Sequence, residues 1–127
     1  MSNTTGSPEQ IWRQYAGAWS MPDPQRTEAL AGCLDDGVVY RDPESIREGS
    51  VSLSDYMRSF QAAVPGGRFT IITVLHHHGR SLARWRLLSG EDAVVQTGTS
   101  VATHADDGRF ATLTGFFDPT PVDVVER

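Results

Sequence analysis

Three histidines stand in a row, His76, His77 and His78, in a chain whose single cysteine is Cys33. On an extended strand, side chains two apart share a face, so His76 and His78 converge while His77 points away. A two-histidine face lacks the third protein ligand that catalytic zinc takes, and no Asp or Glu stands at helpful spacing. The expectation is no metal, with His78 or His77 projecting into a pocket to bond a carboxylate or a ligand. Asp42 precedes Pro43, a pairing that builds a turn when the carboxylate bonds its own backbone. Ser100, Thr112 and Thr114 are polar enough to touch a ligand, although strands also use threonine for its propensity. Arg84 and Arg86 alternate with Ala83, Trp85 and Leu87. The apolar parity faces helices or a partner, and the arginines face water or interface ion pairs.

The elements that carry these residues follow from periodicity. Ser7, Pro8 and Gln10 read as an N-cap, a first-turn proline and a capping-box glutamine. Ile11, Tyr15 and Trp19 then recur at helical steps. Pro22 ends that helix, and Asp23 with Pro24 starts a second, with Leu30, Cys33 and Leu34 inward and a stop at Asp35 to Gly37. Val38, Val39 and Tyr40 form a short strand ending at Asp42. Glu44 to Ser50 reads as a loop, and Ser52 with Asp55 caps a third helix carrying Leu53, Tyr56, Met57, Phe60 and Val64. After Arg68 the period changes to two. Residues 69–78, 81–88, 93–104 and 109–117 form an antiparallel meander with short turns. Ile11, Tyr15, Trp19, Leu30, Leu34, Leu53, Phe60 and Phe116 are the expected core.

The chain has 127 residues, 39% of them hydrophobic and 21% charged, which is the balance of one globular domain spanning 1–127. Residues 1–6 and 119–127 are expected to be flexible tails. Net charge is −5, and all eleven cations are arginines scattered without a basic stripe, so nucleic acid is a poor partner. This lysine-free usage suggests a GC-rich bacterial source. Neither a leader segment nor a run long enough to span a membrane is legible, and one cysteine forms no internal disulfide. A cytoplasmic protein without a membrane partner is expected. Helices, one strand, a helix and a meander make an α+β order, with the helices on one face of a curved sheet and an apolar pocket at its open end.

That order resembles the SnoaL-like and ketosteroid-isomerase-like branch of the nuclear transport factor two superfamily. The stretch Leu34-Asp35-Asp36-Gly37-Val38-Val39-Tyr40-Arg41-Asp42-Pro43 and the closing Asp107-Gly108-Arg109 to Thr114-Gly115-Phe116-Phe117 carry the likeness. The resemblance implies a cystatin-like α+β cone, three N-terminal helices on a strongly curved, mainly antiparallel sheet, and a homodimer through the sheet. It also implies cofactor-independent proton-transfer chemistry on a small apolar carbonyl compound, of isomerase, cyclase or dehydratase type. Asp42 stands where the isomerases place the carboxylate that shuttles a proton, and Tyr15 where they place a tyrosine donor to the developing oxyanion. Trp19, Tyr40, Tyr56, Phe60, His78, Ser100 and Phe116 are the implied ligand contacts. For the chemistry to work, apolar neighbours such as Val38, Tyr40, Trp19 and Phe60 must enclose Asp42. The isomerases' protonated carboxylic acid falls near Ser100, where this chain has no acid. Epoxide hydrolases of the superfamily use an Asp-Arg-Asp set, of which Asp42 with Arg84 or Arg86 matches a part. The same scaffold also serves plain binding modules, the alternative for this chain.

Overall fold

A computed structural model describes residues 6–120; of the expected tails 1–6 and 119–127, residues 1–5 and 121–127 lie outside the described residues. Helices α1 (Pro8–Ala18) and α2 (Asp23–Cys33) precede strands β1 (Leu34–Asp42) and β2 (Ser45–Glu48). Helix α3 (Ser50–Ala63) then leads into the meander β3 (Arg68–His77), β4 (Arg80–Leu88), β5 (Val94–His104) and β6 (Phe110–Phe117). The sheet order is β2-β1-β6-β5-β4-β3. Every pairing is antiparallel except β1 with β6, which closes the sheet by a parallel match of Tyr40 to Leu113. The three helices lie on one face, as the pattern requires.

Local chemistry explains most boundaries. At the start of α1 the capping box forms: Gln10 N donates to Ser7 Oγ at 3.2 Å, and Ser7 N donates to Gln10 Oε1 at 2.9 Å. Helix α2 is capped by Pro22 rather than by Asp23, because the Asp23 carboxylate is taken by Arg26 and Arg58. No loop follows α2. Leu34 passes directly into β1, where it pairs with Phe110 and its carbonyl accepts from Arg109 Nη1 at 3.1 Å. These are long-range partners, which is why local signals placed the strand's start four residues late. Helix α3 begins at Ser50, not beyond Ser52, because Gly49 at φ +88 turns the chain straight from β2 into the helix. The expected loop before it holds β2, paired with β1 from Val39–Glu48 to Asp42–Ser45.

The core joins Ile11, Trp12, Tyr15 and Trp19 of the first helical segment to Leu30, Leu34, Leu53, Phe110 and Leu113. Phe60 packs partly buried against it, whereas Phe116 is 57% exposed, contrary to the sequence reading. The reason is a bulge. Thr103 pairs with Thr112 but His104 with Phe110, so Ala111 is an extra residue that shifts the alternation of β6 by one. Phe117 therefore turns inward in its place.

One charge lies within this core. Arg26 is fully buried, its Nε donating to Ser54 Oγ at 2.8 Å, its Nη1 to the Met21 carbonyl at 2.7 Å and its Nη2 to Asp23. It ties α2 to α3 and to the chain between the first two helices. Arg26→Ala strips those acceptors of their partner and is expected to cost ~2–4 kcal/mol. Urea unfolding will read this as a lowered midpoint at unchanged slope.

Candidate active site

Between the helices and the sheet lies a cavity of about 360 Å³. Its inner wall is aromatic and buried: Trp12 and Tyr15 from α1, Trp19 just beyond it, Tyr40 from β1 and Trp85 from β4. Exposed residues Glu44, Ser59, Ala63 and Phe117 mark its mouth. Trp19 is the hub of the wall, its ring centroid 5.4 Å from both Phe60 and Phe69, 5.9 Å from Tyr56 and 6.0 Å from Tyr40. Edge-on aromatic contacts of this kind fix ring planes as well as filling volume.

Asp42 is the acidic residue in the inner part of this lining, at the end of β1. Its Oδ1 accepts backbone N–H from Glu44 at 2.8 Å and from Ser45 at 2.9 Å, which makes the turn after the strand. Its Oδ2 accepts two phenolic hydroxyls, Tyr40 at 2.5 Å and Tyr56 at 2.8 Å. Strand parity delivers Tyr40, two residues earlier on β1, and helix α3 delivers Tyr56. On the far side Ser100 Oγ accepts from Trp85 Nε1 at 3.0 Å. Gly115 lies between the two sides: a Cβ there would sit 3.4 Å from Ser100 Oγ and 3.6 Å from the Asp42 Cβ. Gly98 allows Trp85 its place, since a Cβ on it would meet that ring at 2.4 Å and the Phe116 carbonyl oxygen at 2.3 Å.

Of the residues expected from sequence, Asp42, Tyr15, Trp19, Tyr40, Tyr56, Phe60 and Ser100 come together around this cavity. His78 and Phe116 do not. His78 sits in the turn after β3 with φ +49, and its neighbour His77 is the ring it touches. His76 lies 3.8 Å from Glu9, and none of the three histidines lines the cavity. Arg84 and Arg86 stand on the face of β4 opposite Trp85 and Leu87, so they cannot complete a set with Asp42. Thr112 and Thr114 likewise belong to the outer face, along a groove that His76 and His77 also border. Sequence reasoning missed Glu44, Ser59, Gln96 and Phe69 as lining residues. The period-two alternation of the meander was the signal that could have found Phe69. The fourth histidine, His104, is partly buried with its ring against Phe110, its Nε2 2.7 Å from Ser81 Oγ, which also accepts from Trp12 Nε1 at 2.8 Å.

The profile of the SnoaL-like domain matches residues 12–113. The chain belongs to the SnoaL-like family. A crystal structure from Agrobacterium tumefaciens, a candidate isomerase of that family, is 26% identical over 87% of this chain and 96% of its own, with a TM-score of 0.81. A candidate polyketide cyclase from Sinorhizobium meliloti is 21% identical, over 84% of this chain and 93% of its own, at a TM-score of 0.67. A protein of cystatin-like fold from Methylobium petroleophilum covers 94% of this chain and 80% of its own at 16% identity and a TM-score of 0.71. No curated protein matches the sequence.

In this SnoaL-like chain the apolar wall governs proton affinity. Burial raises the Tyr15 hydroxyl well above the ordinary tyrosine range, opposed in part by the Trp19 indole and reinforced by Asp42. Tyr40 and Tyr56 are raised by burial first, with the neighbouring Tyr15 adding to the first and the bond to Asp42 to both. Burial likewise pushes the Cys33 thiol up to about 12, so it stays an inert thiol. These three are all the tyrosines of the chain. A raised folded value means the folded state keeps protons that the unfolded chain gives up, so stability is full below ~pH 10 and falls above it. Alkaline titration of the folded domain should therefore show the tyrosinate absorbance band appearing together with unfolding, not before it.

Proposed function

We propose that the cavity binds a small apolar molecule bearing a carbonyl-type oxygen, and that Asp42 moves a proton within it. The observation that supports this most is a carboxylate in an aromatic cavity with two phenolic hydroxyls on one oxygen. Oδ1 is fixed by the turn, so Oδ2 is the working atom. Tyr40 is buried and close, whereas Tyr56 is half-buried and bonds at the longer distance, so Tyr56 is the donor that leaves. When its hydroxyl turns from Oδ2 to the ligand oxygen, the freed lone pair accepts the proton from the carbon next to the carbonyl. The electron pair of that C–H bond moves onto the oxygen as an enolate, which Tyr56 and Tyr15 stabilise with hydrogen bonds. Asp42 then returns the proton to carbon. The chain acts in the cytoplasm and as a homodimer, its outer sheet face, with Leu75 62% and Phe116 57% exposed, covered by a second copy.

Exchange of α-protons of aryl methyl ketones in heavy water, followed by NMR, tests the reaction. Asp42→Asn keeps an acceptor for the turn and should abolish exchange with ligand affinity preserved. Tyr15→Phe should slow exchange by roughly 10²-fold to 10³-fold. A binding module is the second reading, favoured by the two backbone bonds to Oδ1, which give Asp42 a structural task. Under it, Asp42→Asn alters stability or affinity and no exchange is seen in the parent. Sedimentation equilibrium at micromolar concentration tests the dimer, whose interface should bury on the order of 1,600 Å².

A further inference from the structure

Charge is the property of the cavity that acid–base chemistry at Asp42 leaves unused. The described lining holds two carboxylates, Asp42 and Glu44, and no arginine or histidine. Neither carboxylate has an ion pair among the described residues. The hydroxyls and backbone N–H groups that hold Asp42 are neutral, so they orient its charge without cancelling it. Arg47 is close but turned to other work. Its Nε donates to Ser45 Oγ at 2.8 Å, and its guanidinium covers the Tyr56 ring at 4.8 Å without lining the cavity. At the Tyr56 hydroxyl the influence of Asp42 and Glu44 outweighs that of Arg47.

The remaining walls have the same preference. Trp19, Tyr15, Tyr40 and Phe60 line the cavity with aromatic rings, and an aromatic quadrupole attracts a cation over its face and repels an anion there. Against apolar, low-dielectric walls the reach of these fields is longer than at an open surface. We propose that the cavity selects a carbonyl compound that carries a positive charge, a protonated or quaternary amine, seated between the aromatic rings and the Asp42 and Glu44 carboxylates. This rests on the cavity being the ligand site and names its substrate class. Proton transfer gives a reason for it. When Asp42 takes the proton, the negative charge passes to the ligand oxygen, and no cation of the cavity meets it there. A substrate with its own ammonium group supplies that counter-charge, while an anionic one meets two like charges.

Three aryl ketones of matched shape separate charge from size: para-acetyl-trimethylanilinium, para-tert-butylacetophenone and para-acetylbenzoate. Calorimetric titration of the parent chain at low ionic strength should give the cation at least about tenfold tighter binding than its neutral isostere, with the anion weakest. Added salt should shrink the cation's advantage, and Glu44→Gln, a change at an exposed position, should shrink it several-fold. Equal or tighter binding of the neutral ketone overturns the inference, and so does an advantage untouched by Glu44→Gln. If the neutral ketone also exchanges its α-protons, the acid–base reading survives that result. A cation preference without exchange supports the charge selection and removes the proton transfer. Failure of all three ketones to bind overturns both.

Discussion

Four donors converge on the Asp42 carboxylate, and they come from separate levels of the structure. Two are backbone N–H groups of the turn that follows β1, and these are local. The other two are the phenols of Tyr40, on the same strand, and Tyr56, delivered by α3. A carboxylate set in apolar surroundings is costly unless its acceptors are filled, so the position of α3 over β1 is tied to this one side chain. The tie also shapes the cavity. With Tyr56 held toward Asp42, its ring meets Trp19, and Trp19 in turn meets Phe60 and Phe69, which stack on each other.

The same arrangement makes function and stability hard to separate at this position. Oδ1 serves the turn and Oδ2 faces the phenols, so the two oxygens of one residue have separate partners, and only the second is the atom to which the proposed proton transfer is assigned. Substitutions that keep an acceptor at Oδ1 while altering Oδ2 address the second without the first. This distinction matters in the SnoaL-like family, where the matched solved structures carry names of more than one activity on a shared frame. In this chain the frame supplies an aromatic cavity with few polar side chains in its wall.

Much of the fold was legible because its signals are local. The capping box at Ser7, the stripe of Ile11, Tyr15 and Trp19, and the alternation of β4 each announce themselves within a dozen residues. The short β2 did not, because Ser-Ile-Arg-Glu has no apolar alternation and is a strand through its partner β1. The start of β1 was misplaced for a similar reason, since Leu34 answers to Phe110 and Arg109 far along the chain. At the site, Asp42, Tyr40 and Tyr56 were readable as residue types in place, but the bonds of both hydroxyls to one carboxylate oxygen were not. Phe116, expected in the core, faces outward and Phe117 lines the cavity, because the extra residue Ala111 shifts the alternation along β6. His78 failed as a ligand contact because the strand ends one residue before it.

Gly98 carries a consequence for how such a cavity can change over evolutionary time. Its missing side chain is occupied twice over, by the Trp85 ring and by the carbonyl oxygen of Phe116. Shrinking Trp85 relieves one obstacle, but the main-chain oxygen of the adjacent strand remains, so position 98 stays glycine whatever its neighbour becomes. Variation at this contact must then enter from residue 85, with no compensating side chain at 98 to undo or refine it. In descendants of this sequence, change in this part of the wall would be expected to run one way, with Trp85 variable and Gly98 its fixed backing.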